Sequence, residues 1–277
     1  MNSSDARPGA VWQQERTVTG FIDERRRLIP LFDVQEDLAR RLITRGDRDV
    51  VRFVDLGAGD GGFTELLLDL YPDSTGVLVD FSEPMLAAAR ERLAAKEGRW
   101  EILAADLATP TWRDGLPEGE RFDAIVSRLA IHHLPDERKR ALYSEAFELL
   151  RPGGLFLNWE HVETAGLAEG LFDEFFRERL LEAERERETP RAPEVVLHAF
   201  QEATDDDILL DPETQCAWLR EIGFEKVDVY FKLPGLAIFG GEKDMTGGGR
   251  QADSPGEIRR RSRQLGDWRR PSGRLSG

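Results

Sequence analysis

The sequence predicts an α/β fold, a doubly wound and mostly parallel sheet, on three observations. Apolar, β-branched runs of strand length alternate with helical patterns from residue 50 to residue 160. The first run, Val50 to Asp55, opens into glycines at 57, 59, 61 and 62 and then into a helix. The second and third runs also reach an acid, Asp80 and Asp106, as they end. Alternating strands and helices imply a parallel sheet whose ligands gather at the strand C-terminal edge, and each of these residues lies there.

Taken in order, residues 1–20 are polar, with Trp12 the one side chain large enough to pack on anything. Phe21, Ile22, Leu28, Ile29, Leu31 and Phe32 flank the charged run 23–27, and Leu31, Gln35, Leu38, Ala39, Leu42 and Ile43 keep helical spacing. Residues 1–45 therefore read as a helical N-terminal segment that either packs on the sheet or covers a ligand as a lid. In the glycine turn, a residue without Cβ permits positive φ and close backbone approach to a ligand. Apolar residues at 63, 66, 67 and 70 continue the chain as a helix. Strand, glycine turn and helix together make a nucleotide-cofactor pocket. Gly57, Gly59 and Gly62 fit GxGxxG, with Asp80 at the spacing of a ribose-binding acid; the glycines alone do not separate NAD from another adenosyl cofactor.

Gly76 to Asp80 is the second strand, and Ser82 N-caps a helix with apolar residues at 85, 86, 89 and 93. Trp100 to Ala104 is the third, where Asp106 can accept the exocyclic amine of adenine beneath Leu107. Phe122 to Ser127 is the fourth, followed by the His132-His133 loop and a helix from Pro135 to Leu150. Arg151 to Gly154 reads as a turn, and Leu155 to Trp159 as a fifth strand ending at Glu160-His161. Leu167 to Glu188 is amphipathic, with Leu171, Phe172, Phe175, Phe176 and Leu180 as its stripe. Asp205, Asp206 and Asp207 read as a loop or helix cap. Pro212 to Ile222 is a helix that places Cys216 in the core, and Phe224 to Phe231 and Leu236 to Phe239 are two strands joined at Pro234-Gly235.

Composition bounds the function. A chain of 277 residues with 40% hydrophobic content supplies one large domain. It has no run of about 18 apolar residues and no apolar signal core near residue 1, so a cytoplasmic protein without a membrane span is expected. The formal charge of -15 disfavours nucleic acid as a partner. Residues 243–277 differ, with nine Lys/Arg against four acids, and their Gly, Ser, Pro and Arg content predicts a disordered basic tail. No metal-ligand spacing occurs, so no metal is expected. Oligomeric state is not written in the sequence.

VDLGAGDGG, VLVDFS, AADL, FDAIVSRLAIHHL and LRPGGLFLNWE, in this order, resemble the successive motifs of class I S-adenosylmethionine-dependent methyltransferases over residues 50–160. The resemblance implies a Rossmann-like, seven-stranded sheet with a C-terminal antiparallel hairpin, occupying residues 46–242, and a helical insertion at about 162–222. It implies S-adenosyl-L-methionine as cofactor. Asp55, Gly57, Ala58 and Gly59 would hold its methionine part, Asp80 with Phe81 and Met85 its ribose side, Asp106 and Leu107 the adenine, and Ser127 its amino group through a carbonyl. Asp60 departs from the family's commoner threonine. The implied activity is methyl transfer to a small molecule, with His132, His133, Glu160 and His161 as candidate catalytic or substrate-contacting residues. Three alternatives stand beside it. They are a transferase of the tRNA-wobble carboxymethyl pathway type, on Phe21 to Arg25, a non-catalytic S-adenosylmethionine-binding protein, and an NAD-dependent oxidoreductase.

Overall fold

The computed structural model describes residues 28–245 and Gln13; Trp12, Phe21 to Arg25 and the tail beyond Met245 lie outside the described residues. The elements run α1 (Phe32–Ile43), β1 (Arg52–Leu56), α2 (Gly62–Leu70), β2 (Thr75–Asp80), α3 (Glu83–Arg92), β3 (Trp100–Ala104), β4 (Phe122–Arg128), α4 (Asp136–Leu149), β5 (Leu150–His161), α5 (Leu171–Arg185), α6 (Pro193–Thr204), α7 (Pro212–Ile222), β6 (Phe224–Leu233) and β7 (Leu236–Lys243). The seven strands form one sheet in the order β3-β2-β1-β4-β5-β7-β6. β1 to β5 pair in parallel, and β7 lies antiparallel between β5 and β6. The chain reverses its direction of winding between β1 and β4. That switch point leaves a crevice at the strand C-terminal ends, where the two following loops part to opposite faces.

Both faces of the sheet are covered, which is why β1 and β2 read as near-continuous apolar runs rather than alternating ones. Phe53 faces a core with Phe32, Ile43, Phe63, Leu67 and Trp159, under α1 and α2. Its neighbours Val54 and Leu56 face the other core with Trp112, Tyr143, Phe156, Leu219 and Phe239, under α4 and α7. Cys216 is buried in that second core, as a small apolar residue of α7.

Three local expectations change. Arg151 to Gly154 is not a separate turn: β5 begins at Leu150, and the extra residues are absorbed as a bulge between the pairings Phe122 with Leu150 and Ala124 with Leu155. The insertion holds a further helix besides the two expected, since Pro193 opens α6 from its first turn, where the missing N–H costs nothing. On α5 only Leu180 of the stripe is buried, and Phe175 stays exposed. The described part of the N-terminal segment packs on the sheet: Phe32 meets Trp159 at 5.1 Å between ring centroids. No described helix is long and apolar enough to cross a membrane.

Candidate active site

β1 ends in a turn whose three glycines hold left-handed backbone, φ being +67° at Gly57, +54° at Gly59 and +74° at Gly61. The turn is pulled over the end of β2 by Gly57 and Ala58 N–H groups donating to the Val79 carbonyl at 2.8 and 3.1 Å. Asp80 then closes the arrangement from the other side. Its Oδ2 accepts from the Gly59 N–H and its Oδ1 from the Ser82 N–H, both at 2.8 Å. One buried carboxylate thus fixes the glycine turn and the entry to α3 together, and Ser82 caps α3 by accepting from Met85 N–H.

The result is a cavity of about 230 Å³ at the switch point. Asp55, Gly57, Ala58, Gly59, Asp80 and Phe81 line one part of it, and Met85, Asp106 and Leu107 another. Ser127 is fully buried on β4 and is not among the lining residues; its hydroxyl donates to the Leu56 carbonyl at 2.8 Å, which leaves the expected role of its backbone carbonyl untouched. Arg128, Leu129 and Ala130 line the wall instead, because the chain leaves the sheet one residue later than the sequence reading assumed. Asp60, the departure from threonine, is buried and receives Arg92 of α3 at 2.6 Å, so it ties the glycine turn to the neighbouring helix.

Arg138 was not legible as a site residue. It donates to the Leu107 carbonyl at 2.6 Å while its other nitrogens grip the carboxylate of Glu145, which also accepts from the Trp112 indole. The loop carrying Asp106 and Leu107 is therefore fastened to α4 by a buried, charge-assisted network. The Arg128 guanidinium, also in the lining, lies 5.3 to 5.7 Å from the ring centroids of Phe32, Phe63 and Trp159.

Gly57 shows how closely the cavity is fitted. A Cβ there would lie 2.2 Å from the Ala130 Cβ, and φ is already in the region that side chains avoid. Gly57→Ala is expected to cost about 2–4 kcal/mol, from left-handed strain plus overpacking, read as a lowered denaturation midpoint in urea.

Electrostatically the cavity is built for a cation. Asp55 is 1% exposed, and burial pushes its carboxyl up to about 6, against the Thr64 hydrogen bond and the charge of Arg128, which act to lower it. Burial also raises Asp80, opposed by the backbone donors of Ser82 and Gly59.

Beside this cavity lies a second cluster. His132 Nδ1 meets Glu160 Oε1 at 2.6 Å, and Glu160 also accepts the N–H groups of Ile131 and His161. Asp207, from the loop after α6, approaches His133 Nδ1 at 3.1 Å, His161 Nδ1 at 3.4 Å and His132 Nε2 at 3.5 Å. Burial and the neighbouring His133 push the His132 imidazole below its ordinary value. Burial would raise Glu160, but His132 and the His161 N–H hold it below the usual carboxylate range. Asp207 is likewise lowered against burial, by the imidazoles of His133 and His161. The four candidate catalytic residues of the sequence are thus brought together around a fifth, Asp207, and of them only His133 lines the cavity. Asp205, by contrast, is the C-cap of α6, as expected of a cap.

With this geometry in place, comparison with known proteins is decisive. A family profile described as a methyltransferase domain matches residues 53–154, the stretch from β1 into β5. That stretch is similar to a methyltransferase domain, and the relatives support a methyltransferase of the class I, S-adenosylmethionine-dependent kind. Over 107 residues the chain is 39% identical to a trans-aconitate 2-methyltransferase from Variovorax paradoxus, a match covering 39% of the chain and 37% of that protein. It is 28% identical over 238 residues to a carboxy-S-adenosyl-L-methionine synthase from Chromohalobacter salexigens, covering 83% and 82% of the two chains. The fold is shared with human N-acetylserotonin methyltransferase, solved in complex with S-adenosylmethionine. There the TM-score is 0.55 at 15% identity, over 88% of this chain and 60% of that one.

The cavity fits the family's cofactor. Gly57 lacks the Cβ that would fill the cradle, and the Asp80 carboxylate, although it accepts backbone N–H groups of Gly59, Ser82 and Phe81, has about four lone-pair sites and so acceptor capacity for a hydroxyl. Apolar Leu107 and Met85 wall the space beside Asp106. Two buried carboxylates suit a ligand with a cationic amino group and a sulfonium.

Proposed function

We propose that the chain catalyses S-adenosylmethionine-dependent methyl transfer to a small, carboxylate-bearing acceptor. The observation that carries this reading is the cavity itself. Carboxylates lie at the ends of β1 and β2, and the buried cation Arg128 and the imidazole of His133 line the same cavity. When bound, the cofactor supplies an electrophilic methyl group that needs no further activation.

Under this reading the chain's own residues mainly position and exclude. Asp80 and Asp106 hold the nucleoside, and Asp55 faces the amino-acid part. Arg128 is packed among three rings and contributes a buried positive charge to the cavity wall, which suits an anionic acceptor. Alignment of donor and acceptor would then supply much of the rate. The 2-methyltransferase relative is named for trans-aconitate, a carboxylate, which supports the acceptor class.

A second reading is favoured by the relative that spans most of both chains, the carboxy-S-adenosyl-L-methionine synthase. In it the chain would modify the adenosyl compound rather than spend its methyl group. One experiment separates the two. The purified full chain is incubated with methyl-labelled S-adenosylmethionine and a metabolite extract, and small molecules are followed by mass spectrometry. Label is expected in an acid-bearing product, together with S-adenosylhomocysteine. Unchanged label in a mass-shifted adenosyl compound would favour the second reading, and no conversion with cofactor demonstrably bound would overturn both.

A further inference from the structure

We propose that His132, His133 and Asp207 form a binding site for a divalent transition-metal ion of the zinc class. The ligand atoms of these three residues lie within 4.8 Å of one another, on two chain segments far apart in sequence. The site stands on this cluster alone and does not depend on methyl transfer.

The tautomer of His132 carries the argument. Glu160 accepts from the backbone N–H groups of Ile131 and His161, so the short contact with His132 requires Nδ1 to be the donor. Nε2 then presents its lone pair toward Asp207 Oδ1, 3.5 Å away. Two acceptors facing each other in a buried place call for a cation between them, either a proton or a metal ion. His133 Nδ1 lies 3.1 Å from the same buried Oδ1, so both imidazoles converge on one carboxylate oxygen. The two imidazole separations from Asp207 Oδ1, 3.1 and 3.5 Å, bracket the roughly 3.3 Å between tetrahedral neighbours that metal–ligand bonds of about 2.0–2.1 Å imply.

The surroundings hold the ligands in place. Glu160 behind His132 makes the carboxylate–histidine pair that orients metal-bound imidazoles, and His161 lies 3.4 Å from the other Asp207 oxygen. The Asp207 loop is pinned from both sides. The Ile208 N–H donates to the His132 carbonyl at 2.9 Å, and the buried Lys139 ammonium donates to the Ile208 carbonyl. Three protein ligands leave a fourth position open, the pattern of a reactive rather than a purely structural site. Because His133 also lines the cofactor cavity, an ion here would bind and polarise an acceptor oxygen; this extension alone rests on the methyl-transfer reading.

The test uses untagged full-length protein stripped with a chelator. Zinc(II) is titrated by calorimetry and cobalt(II) by visible absorption. One ion per chain is expected, with the visible bands of cobalt in a four-coordinate nitrogen and oxygen environment. Asp207→Ala should weaken zinc binding at least about a hundredfold, and Glu160→Gln by about 10- to 100-fold. His198→Gln should change nothing, since His198 is an exposed residue on α6 paired only with Glu202. Absence of saturable binding and of cobalt bands in the unmodified protein would overturn the proposal, leaving a proton between His132 and Asp207. Binding unchanged by Asp207→Ala would overturn it equally. The unmodified protein's spectrum decides the matter even if a variant fails to fold. Because no readout is activity, failure here leaves the methyl-transfer reading untouched.

Discussion

Replacing Asp80 with alanine is expected to weaken S-adenosylmethionine binding by about two to three orders of magnitude. This carboxylate accepts backbone N–H groups of Gly59, Ser82 and Phe81, has about four lone-pair sites, and lines the cavity. Hydrogen bonds from two ribose hydroxyls to an ionised acceptor are each worth about 1.5–3 kcal/mol, and every 1.4 kcal/mol is tenfold in affinity. Alanine also releases the Gly59 N–H, so the glycine turn loses its tie to β2. Asparagine should do little better. Whichever way its amide is turned, the NH2 group faces a backbone donor, at Gly59 or at Ser82. Glutamate would bring a longer arm into a place where the two backbone contacts already fix the carboxylate. Calorimetry with S-adenosylmethionine, with circular dichroism to show a folded chain, checks the result. Affinity within a fewfold of the unmodified protein would remove Asp80 from the cofactor site.

Much of this site was legible because its parts sit at strand ends, where local sequence dictates position. A short apolar run fixes where a strand stops, and the next one or two residues must then stand at the crevice. Asp55, Asp80, Asp106 and the glycines follow from that alone. Arg128 shows the limit of such counting: β4 continues through it, one residue beyond the apolar run, so Arg128, Leu129 and Ala130 supply the wall after that strand. Residues delivered across the fold left no pattern. Arg138 reaches the Leu107 carbonyl from α4, and nothing in a helix of alternating charges marks one arginine for that contact. Asp207 belongs to a run of three acids whose first member does cap a helix. Only the return of the insertion over the His132-His133 loop, tied at Ile208, gives Asp207 its place. The sheet was likewise readable from strand spacing, whereas the bulge in β5 depends on how β4 and β5 slide past each other.

Asp55→Asn is expected to raise the stability of the ligand-free chain at neutral pH while sharply weakening cofactor binding. Burial places the Asp55 carboxyl at about 6 in the folded chain, against its ordinary 3.8. A raised folded pKa means that the native state binds the proton more tightly than the unfolded state does. Stability is therefore highest below pH 3.8, as far as this group is concerned, and falls as pH rises toward 6. Above that window the ionised carboxylate costs about 3 kcal/mol, from 1.36 kcal/mol per pKa unit. Asparagine keeps an oxygen for the Thr64 hydroxyl, which donates to Asp55 at 2.8 Å, and removes the charge. Part of the gain is offset by the buried amide, so a net stabilisation of about 1–2 kcal/mol is expected, or a melting temperature a few degrees higher. The pH dependence between 4 and 6 should flatten with it. A cationic ligand reverses the balance, because the buried charge that burdens the empty chain attracts an ammonium or sulfonium at low effective dielectric. Binding to the unmodified protein should consequently weaken below about pH 6 as Asp55 takes up its proton. Thermal denaturation and calorimetry across pH 4–8, on both chains, read the two effects separately. A variant that is less stable without ligand, or that binds S-adenosylmethionine as well as the unmodified chain, would show that the Asp55 charge serves the fold rather than the cofactor.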